Sequence, residues 1–225
     1  MMLLHYIFLM GISVEAVSGA IAAGRKRMDF FGVMFIGCIT GLGGGTVRDV
    51  LFNTHPISWV AHPHYLLYTS GAALLTICIP AQLTRVTKLF LVLDALGLAA
   101  FTIIGTQRLL IYGMPEVVAI MGGLVTGISG GMLRDILCND IPVVLRGELY
   151  AVIALGGAVL YVALEHFQVT HSWNIFITVL AIFLVRLLAI WRKIEVPKFD
   201  YAESSLRTRK RGKKQAPLPP DESIT

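Results

Sequence analysis

Two Arg-Asp pairs stand inside long apolar stretches of the chain, Arg48-Asp49 in one stretch and Arg134-Asp135 in another. A charged side chain at the centre of a bilayer costs roughly 2.5–3.5 kcal/mol on insertion scales, so such residues are rare and serve pairing or transport. Two interpretations fit the pairs, and they do not exclude each other. Each Arg pairs with a nearby Asp to hold helices together, or the pairs line a hydrated path and act as its gate.

Glycine-rich segments lead into both pairs. Glycine recurs at every fourth position, at Gly37, Gly41 and Gly45 and again at Gly123, Gly127 and Gly131. On a helix these glycines form a smooth stripe that another backbone can approach closely, and the Arg-Asp pairs lie above it. A regular helix is disfavoured at Gly43-Gly44-Gly45 and Ser129-Gly130-Gly131, because each glycine costs a helix about 1 kcal/mol relative to Ala. We therefore expect kinked or interrupted helices, with unwound backbone at Gly44 and Gly130 as a candidate cation ligand.

The elements that must position these residues are membrane-spanning helices. The 225 residues are 56% hydrophobic and 15% charged, with a mean hydropathy of +0.73, whereas soluble domains carry about 25% charged residues. This composition excludes disordered, collagen-like and disulfide-stapled proteins and does not suit an ordinary soluble enzyme.

No enzyme chemistry accompanies this composition. The sequence contains no zinc-ligand spacing, nucleophile elbow or phosphate loop, so we expect no catalysis, no nucleic-acid partner and no cofactor besides a permeant K⁺ or Na⁺. His55, His62 and His64 share one loop without a Cys or second carboxylate, and we interpret them as ordinary loop residues.

Seven apolar stretches are long enough to cross about 30 Å of hydrocarbon as helices. They cover residues 2–23, 30–52, 65–83, 89–111, 117–137, 149–167 and 173–191. Lys and Arg concentrate after the odd-numbered stretches, which places those loops and the C-terminus in the cytoplasm and the N-terminus outside. Residues 192–225 hold nine of the 19 Lys and Arg and predict a disordered basic tail that anchors the topology or attracts anionic lipid headgroups.

The two Arg-Asp segments are copies of one sequence. Residues 37–56 laid on 123–142, an offset of 86, match at ten of twenty positions without a gap. Each copy belongs to a three-helix unit, about 2–83 and about 89–167, and residues 173–191 add a last helix within a transmembrane domain of residues 1–191. Because three is odd, the second unit enters from the opposite side, which makes an inverted repeat with its ion or substrate site where the units meet.

Short signals mark helix ends and counter-charges. Asn53 and Asn139, each followed by a proline three residues later, predict helix C-termini.

Glu15 and Asp94 are each the only acid of their predicted span, and Val14-Glu15-Ala16 opens one unit much as Leu93-Asp94-Ala95 opens the other. We therefore expect these two acids to be the counter-charges of the two arginines, and as intramembrane carboxylates they are functional candidates.

The segments 41–49 and 127–135 resemble the paired motifs of the prokaryotic trimeric intracellular cation (TRIC) channel family, some of whose members carry the label of a duplicated "glycine transporter" domain. The resemblance covers residues 2–191. It implies an all-α integral membrane protein of seven helices in a 3+3+1 inverted repeat, assembled as a homotrimer in a bacterial inner membrane. It also implies one path for monovalent cations, chiefly potassium, through each protomer, lined by a second and a fifth helix that kink at their glycines.

Carried over residue by residue, the resemblance assigns the pore. The pore and kink positions are Gly41, Gly43, Gly44, Gly45, Thr46, Gly127, Ser129, Gly130 and Gly131, and the polar gate consists of Arg48, Asp49, Arg134 and Asp135. Ser129 stands where the first copy has Gly43, so a hydroxyl is available to a cation on one side only.

Two other functions remain open at this stage. One is a secondary transporter of glycine or another small amino acid, whose carboxylate an arginine would hold. The other is a scaffold whose glycine stripes mediate assembly. A pore lined by arginine would repel cations unless Asp49, Asp135, Glu15 or Asp94 neutralises the charge, and we therefore expect such pairing.

Overall fold

The structure is a computed structural model that describes residues 2–78, 83–146, 149–192 and 194. Every regular element in this part of the chain is helical, which confirms the all-α class. The α-helices are α1 (Met2–Arg25), α2 (Phe30–Leu51), α3 (Ser58–Ala61), α4 (His64–Thr76), α5 (Leu83–Ile111), α6 (Glu116–Leu137), α7 (Tyr150–His166) and α8 (His171–Arg192), and a 3₁₀ turn covers Val143–Leu145.

Five of these helices are long and apolar enough to cross a membrane. The spanning segments are His5–Arg25, Phe30–Leu51, Lys88–Ile111, Glu116–Leu137 and His171–Arg192. The two other predicted spans correspond to α4 and α7, which have 13 and 17 residues, and their crossing stays a prediction. The predicted basic tail lies outside the described residues apart from Arg192 and residue 194.

Continuous helix runs through both glycine-rich segments. Each of α2 and α6 is an uninterrupted helix of 22 residues, so the unwound backbone expected at Gly44 and Gly130 is not found. The physical reason is tertiary: a Cβ on Gly44 would overlap the backbone oxygen of Thr126, and one on Gly130 would lie 2.5 Å from that of Thr40. The glycines allow α2 and α6 to cross backbone to backbone, and this contact compensates their low helix propensity. A bend without loss of helix stays a prediction.

The ends of α2 and α6 are defined by local chemistry. Asp29 caps α2 by accepting a 2.8 Å hydrogen bond from the backbone N–H of Gly32. Asn53 and Asn139 follow the last turns with φ of 52° and 54°. This left-handed conformation ends a helix and is one that Asn tolerates, so the two predicted C-termini are confirmed.

The apolar core lies mainly where α5, α7 and α8 meet. Its largest cluster includes Leu98 and Ile103 of α5, Tyr161 of α7 and Ile175 and Ile182 of α8, all at most 2% exposed. Exposed Phe, Leu, Ile and Val side chains are common on the outer faces of the helices, as expected where the surrounding medium is lipid.

Candidate functional site

Arg134 is the centre of a buried polar cluster that joins three helices. From α6 its Nη1 donates hydrogen bonds to Asp94 Oδ1 on α5 (2.9 Å) and to Ser18 Oγ on α1 (2.8 Å). Its Nε donates to Asp135 Oδ1 at 2.9 Å, and its guanidinium lies 4.6 Å from the ring centre of Phe90. A planar guanidinium can bond several acceptors at once, and Arg134 ties α1 and α5 to α6 in this way.

Arg48 has a poorer set of partners. Its Nε and Nη2 donate to Asp49 Oδ1 at 2.9 and 2.7 Å, and Nη2 also reaches Ser58 Oγ at 3.2 Å. Arg108 Nε approaches the same Asp49 oxygen at 3.4 Å. Arg48 is 1% exposed, and within the described residues its Nη1 has no hydrogen-bond partner. Two guanidinium groups therefore share one carboxylate.

The aspartate of each pair also anchors the chain that follows its helix. Asp49 Oδ2 accepts hydrogen bonds from the backbone N–H and hydroxyl of Ser58, at the start of α3. Asp135 Oδ2 accepts from the backbone N–H of Val143, at the start of the 3₁₀ turn. One carboxylate oxygen thus pairs with the arginine and the other caps a short helical turn, so each aspartate has a structural role as well.

A cavity of about 700 Å³ lies against Arg48. We call it the vestibule; its lining includes Arg48, Arg108, Gln107, Tyr65, Tyr112, His5, His62 and His171. Below it a void of only about 10 Å³ is lined by residues that include Gly41, Gly45, Thr46 and Thr126. An open compartment at one end of the bundle therefore narrows sharply beside the Arg48 guanidinium, close to the crossing of α2 and α6.

Both intramembrane acids are found at the Arg134 end, so the expectation of one counter-charge for each arginine is wrong. Asp94 bonds Arg134 directly, and Arg134 is also one of the charges that act most strongly on Glu15. The helices correspond at the same offset of 86: a Cβ on Gly41 would approach the backbone oxygen of Ile12, and one on Gly127 that of Leu98. The comparison of Val14-Glu15-Ala16 with Leu93-Asp94-Ala95 used an offset of 79 and was misleading.

At the offset of 86, the polar residues around Arg134 correspond in the other copy to apolar residues. Asp94, Glu15 and Ser18 correspond to Phe8, Phe101 and Ile104. All three apolar side chains line the small void together with Arg48. The structure therefore places the predicted residues in two groups. Polar side chains surround Arg134, whereas apolar side chains stand at the matching positions beside Arg48.

The remaining pore candidates lie on the same two helices. Thr46 donates to the backbone oxygen of Leu42 at 2.8 Å and accepts from Trp59 Nε1 at 3.1 Å. A Cβ on Gly43 would lie 2.8 Å from Leu133 Cδ1 of α6. Ser129 is buried, one residue before the crossing at Gly130.

Sequence reasoning missed Ser18, Ser58 and Arg108 as members of these sites. A weak signal was present for Ser18, which follows Glu15 by three residues and so shares its helix face. Arg108 stood out only as a basic residue near the end of a span.

A metal centre is not formed by the described part of the chain, where no group of three His, Cys, Asp or Glu side chains is placed to hold an ion. His62 and His64 have ring centres 5.5 Å apart. His62 directly follows α3, whereas His64 is the first residue of α4 rather than a loop residue.

These features define a class: a multi-pass helical membrane protein with ionised pairs buried beside a glycine-mediated helix crossing. The family model described as "Glycine transporter" matches residues 5–81 and 91–166. The chain is 37% identical over 205 residues to the UPF0126 inner membrane protein YadS of Escherichia coli (strain K12), covering 90% of this chain and 99% of that protein. A UPF0126 membrane protein of Vibrio cholerae is 37% identical over 198 residues, covering 88% and 83%.

Solved structures agree with these matches. The crystal structure of the TRIC trimeric intracellular cation channel orthologue from Rhodobacter sphaeroides is 36% identical with a TM-score of 0.81, covering 86% of this chain and 100% of that one. A structure described for conductance through TRIC cation channels is 32% identical with a TM-score of 0.77, covering 87% and 97%. The chain belongs to the TRIC channel family.

Proposed function

We propose that the protein is a monovalent cation channel, permeable to potassium, with one pore in each protomer of a homotrimer. The observation that carries this proposal is the vestibule, which ends on a buried Arg-Asp pair at the crossing of two glycine-rich helices. The similar solved structures are cation channels rather than enzymes, and a cavity of about 700 Å³ inside the protomer suits conduction.

The path runs from the vestibule past Arg48, through the crossing of α2 and α6, to the Arg134 cluster. In the described arrangement it is closed at the small void, because about 10 Å³ holds no more than one water molecule. Opening then requires α2 and α6 to slide or bend against each other, and Gly43, Gly44 and Gly130, which face the opposite helix, make this contact smooth. Arg48-Asp49 and Arg134-Asp135 form the polar gate on either side of the crossing.

The finer architecture belongs to the same proposal. Seven spans in a 3+3+1 inverted repeat are supported by the two matched segments, whose starts at residues 5 and 91 lie 86 positions apart, and by paired contacts at that offset. We place the chain in a bacterial inner membrane, as for the Escherichia coli relative, with the N-terminus outside and the basic C-terminus in the cytoplasm.

The net charge beside each arginine determines whether a cation can pass it. At the vestibule, Asp49 neutralises one of two guanidinium groups, so this end repels cations until Arg48 or Arg108 moves. At the other end the carboxylates outnumber Arg134, and the local charge attracts cations. A potassium or sodium ion bound during permeation is then the chain's only expected ligand besides lipids.

The test is a planar-bilayer recording of the purified protein with asymmetric KCl. We expect a reversal potential close to that of potassium, and we expect Arg48→Ala to change conductance or open probability because it removes the barrier at the base of the vestibule. Arg25→Ala, which removes an exposed charge at the end of α1, is the matched control and should behave as wild type.

Two results would contradict the proposal. Identical single-channel behaviour of Arg48→Ala and wild type would remove Arg48 from the gate. Saturable uptake of labelled glycine into proteoliposomes without ion current would favour the transporter that the family model's description names.

A further inference from the structure

The Arg134 cluster contains more negative than positive charge. Among the described residues, the carboxylates of Glu15, Asp94 and Asp135 are 2%, 1% and 7% exposed around the buried guanidinium of Arg134. Arg186 brings a second positive charge to the edge of the cluster, 4.7 Å from the ring centre of Tyr150. When all five groups are ionised, the carboxylates exceed the guanidinium groups by one negative charge, and a buried charge of this kind is stabilised by binding a cation or a proton.

Glu15 is the carboxylate that the arginine does not bond. Asp94 and Asp135 accept hydrogen bonds from Arg134, whereas no described residue donates a hydrogen bond to the buried Glu15 Oε2. The Glu15 carboxylate packs directly on Gly97, one turn from Asp94 on α5, where a Cβ would overlap it. The charges that act on it most strongly are those of Asp94, Arg134 and Asp135, so its open oxygen belongs to the cluster.

The oxygens gathered here are of the kind that binds small cations. Ser18 Oγ and Asp94 Oδ1 both accept from Arg134 Nη1. A Cβ on Gly131 would lie 3.5 Å from Arg134 Nη2, 3.6 Å from the Tyr150 hydroxyl and 3.7 Å from Asp94 Oδ1. Rings of Asp or Glu carboxylates are a common lining of cation-selective pores.

We propose that Glu15, Asp94 and Ser18 form the cation-binding site of the pathway, and that the guanidinium of Arg134 occupies it as a tethered cation in the closed arrangement. When Arg134 withdraws, a permeating monovalent cation takes its place beside Glu15. This inference rests on the proposed channel function and names the residues that give it selectivity. The Arg48 end has no equivalent site, because Phe8, Phe101 and Ile104 stand at the matching positions.

The experiment measures binding and permeation separately on the full-length protein. Binding of radioactive Rb⁺, displaced by K⁺, is measured on the detergent-purified protein, and the K⁺-to-Cl⁻ permeability ratio is measured in bilayers. Glu15→Gln removes the charge and keeps the shape, and we expect it to weaken Rb⁺ binding about tenfold or more and to lower the permeability ratio. Glu116→Gln makes the same chemical change at an exposed position at the start of α6 and should leave both quantities unchanged.

A second variant tests the tethered cation. Arg134→Lys keeps the positive charge but loses the planar fork that bonds three acceptors at once. We expect it to compete less well, so that Rb⁺ binds more tightly and the open probability rises. If Glu15→Gln does not fold, the Rb⁺ affinity and the open probability of Arg134→Lys still test the proposed site.

The outcomes separate the inference from the channel proposal. A folded Glu15→Gln protein that binds Rb⁺ and selects K⁺ as wild type does would overturn the inference and leave the channel intact. An Arg134→Lys protein with unchanged Rb⁺ affinity would overturn the tethered cation. Glu15-dependent Rb⁺ binding without any current would support the site and contradict the channel.

Discussion

Arg48 and Arg134 hold the same position in two copies of one motif, yet Arg48 bonds one carboxylate and the hydroxyl of Ser58, whereas Arg134 bonds two carboxylates and the hydroxyl of Ser18. Arg48 also shares its carboxylate with Arg108, whereas Arg134 has Glu15 in addition. The Arg48 site therefore has an excess of positive charge and the Arg134 site an excess of negative charge. The neighbouring helices, and not the motif, therefore decide the charge of each site.

Other features of the two copies are alike. The hydroxyls of Thr40 and Thr126 each donate to the backbone oxygen four residues earlier at 2.6 Å. Gly44 and Gly130 make the same close approach to the opposite helix. The backbone crossing is therefore alike on both sides, whereas the charges around it differ.

Removing Arg134 should have the largest effect on stability. Arg134→Ala removes the shared hydrogen-bond partner of the buried Asp94 and Asp135, and we expect it to lower the free energy of unfolding by about 3–5 kcal/mol. Arg48→Ala should cost clearly less, because Arg108 remains 3.4 Å from Asp49. Thermal unfolding of the purified proteins in detergent measures both, and equal losses would mean that the two sites are energetically equivalent.

Adding a methyl group where α2 and α6 cross should have the next largest effect on stability, and the effect should be equal for the two helices. Gly44→Ala and Gly130→Ala each force a methyl group against backbone oxygen, and overpacking of this kind costs about 1–3 kcal/mol. Gly45→Ala is the control, since its Cβ would meet only Arg48 Nη2 at an ordinary 3.7 Å. A control variant as unstable as the other two would show that glycine flexibility, rather than close approach, matters here.

A smaller and symmetric loss should follow from removing the threonine hydroxyls. Thr40→Val and Thr126→Val keep the shape of the side chain and delete one 2.6 Å hydrogen bond each, which contributes about 0.5–1.5 kcal/mol. Paired denaturation curves should shift by the same amount. Unequal shifts would place the asymmetry in the crossing itself.

The smallest effect should come from the exposed pair Lys26–Asp140, 2.8 Å apart. An exposed ion pair contributes about 0–1 kcal/mol and is screened by salt, so Lys26→Ala should change stability little and not at all in high salt. The hydrogen bond from Lys26 lowers the pKa of Asp140. Its contribution is therefore present above the ordinary pKa of Asp and is lost as the pH falls through the lowered value. A Lys26→Ala protein with unchanged stability at low salt and neutral pH would show that the pair contributes nothing.

Much of the fold followed from local sequence signals. The Asn at 53 and 139 marked two helix ends, and the apolar stretches marked the five long helices. The glycine segments were interpreted correctly as close-approach surfaces but wrongly as unwound backbone. Helix propensity is a property of one segment, whereas the contact that holds α2 and α6 helical comes from the other helix.

The candidate site was predictable only in part. Arg48, Asp49, Arg134 and Asp135 were found because charges inside apolar stretches are costly and conspicuous. The expectation of one intramembrane acid for each arginine was wrong, because it rested on a short similarity at an offset of 79 rather than on the offset of 86 of the long match. Ser18 could not be recognised, since a serine in an apolar helix carries no signal until its facing residue is known.

Hydropathy, backbone preference and repetition are local properties of the sequence, and they were sufficient to predict the membrane class, the helix ends and the duplicated motif. That α2 and α6 stay helical through their glycines, and that both intramembrane acids gather at Arg134, followed only from the folded structure. The reason is that electrostatic and packing partners are chosen across helices, between residues as far apart as Ser18 and Arg134.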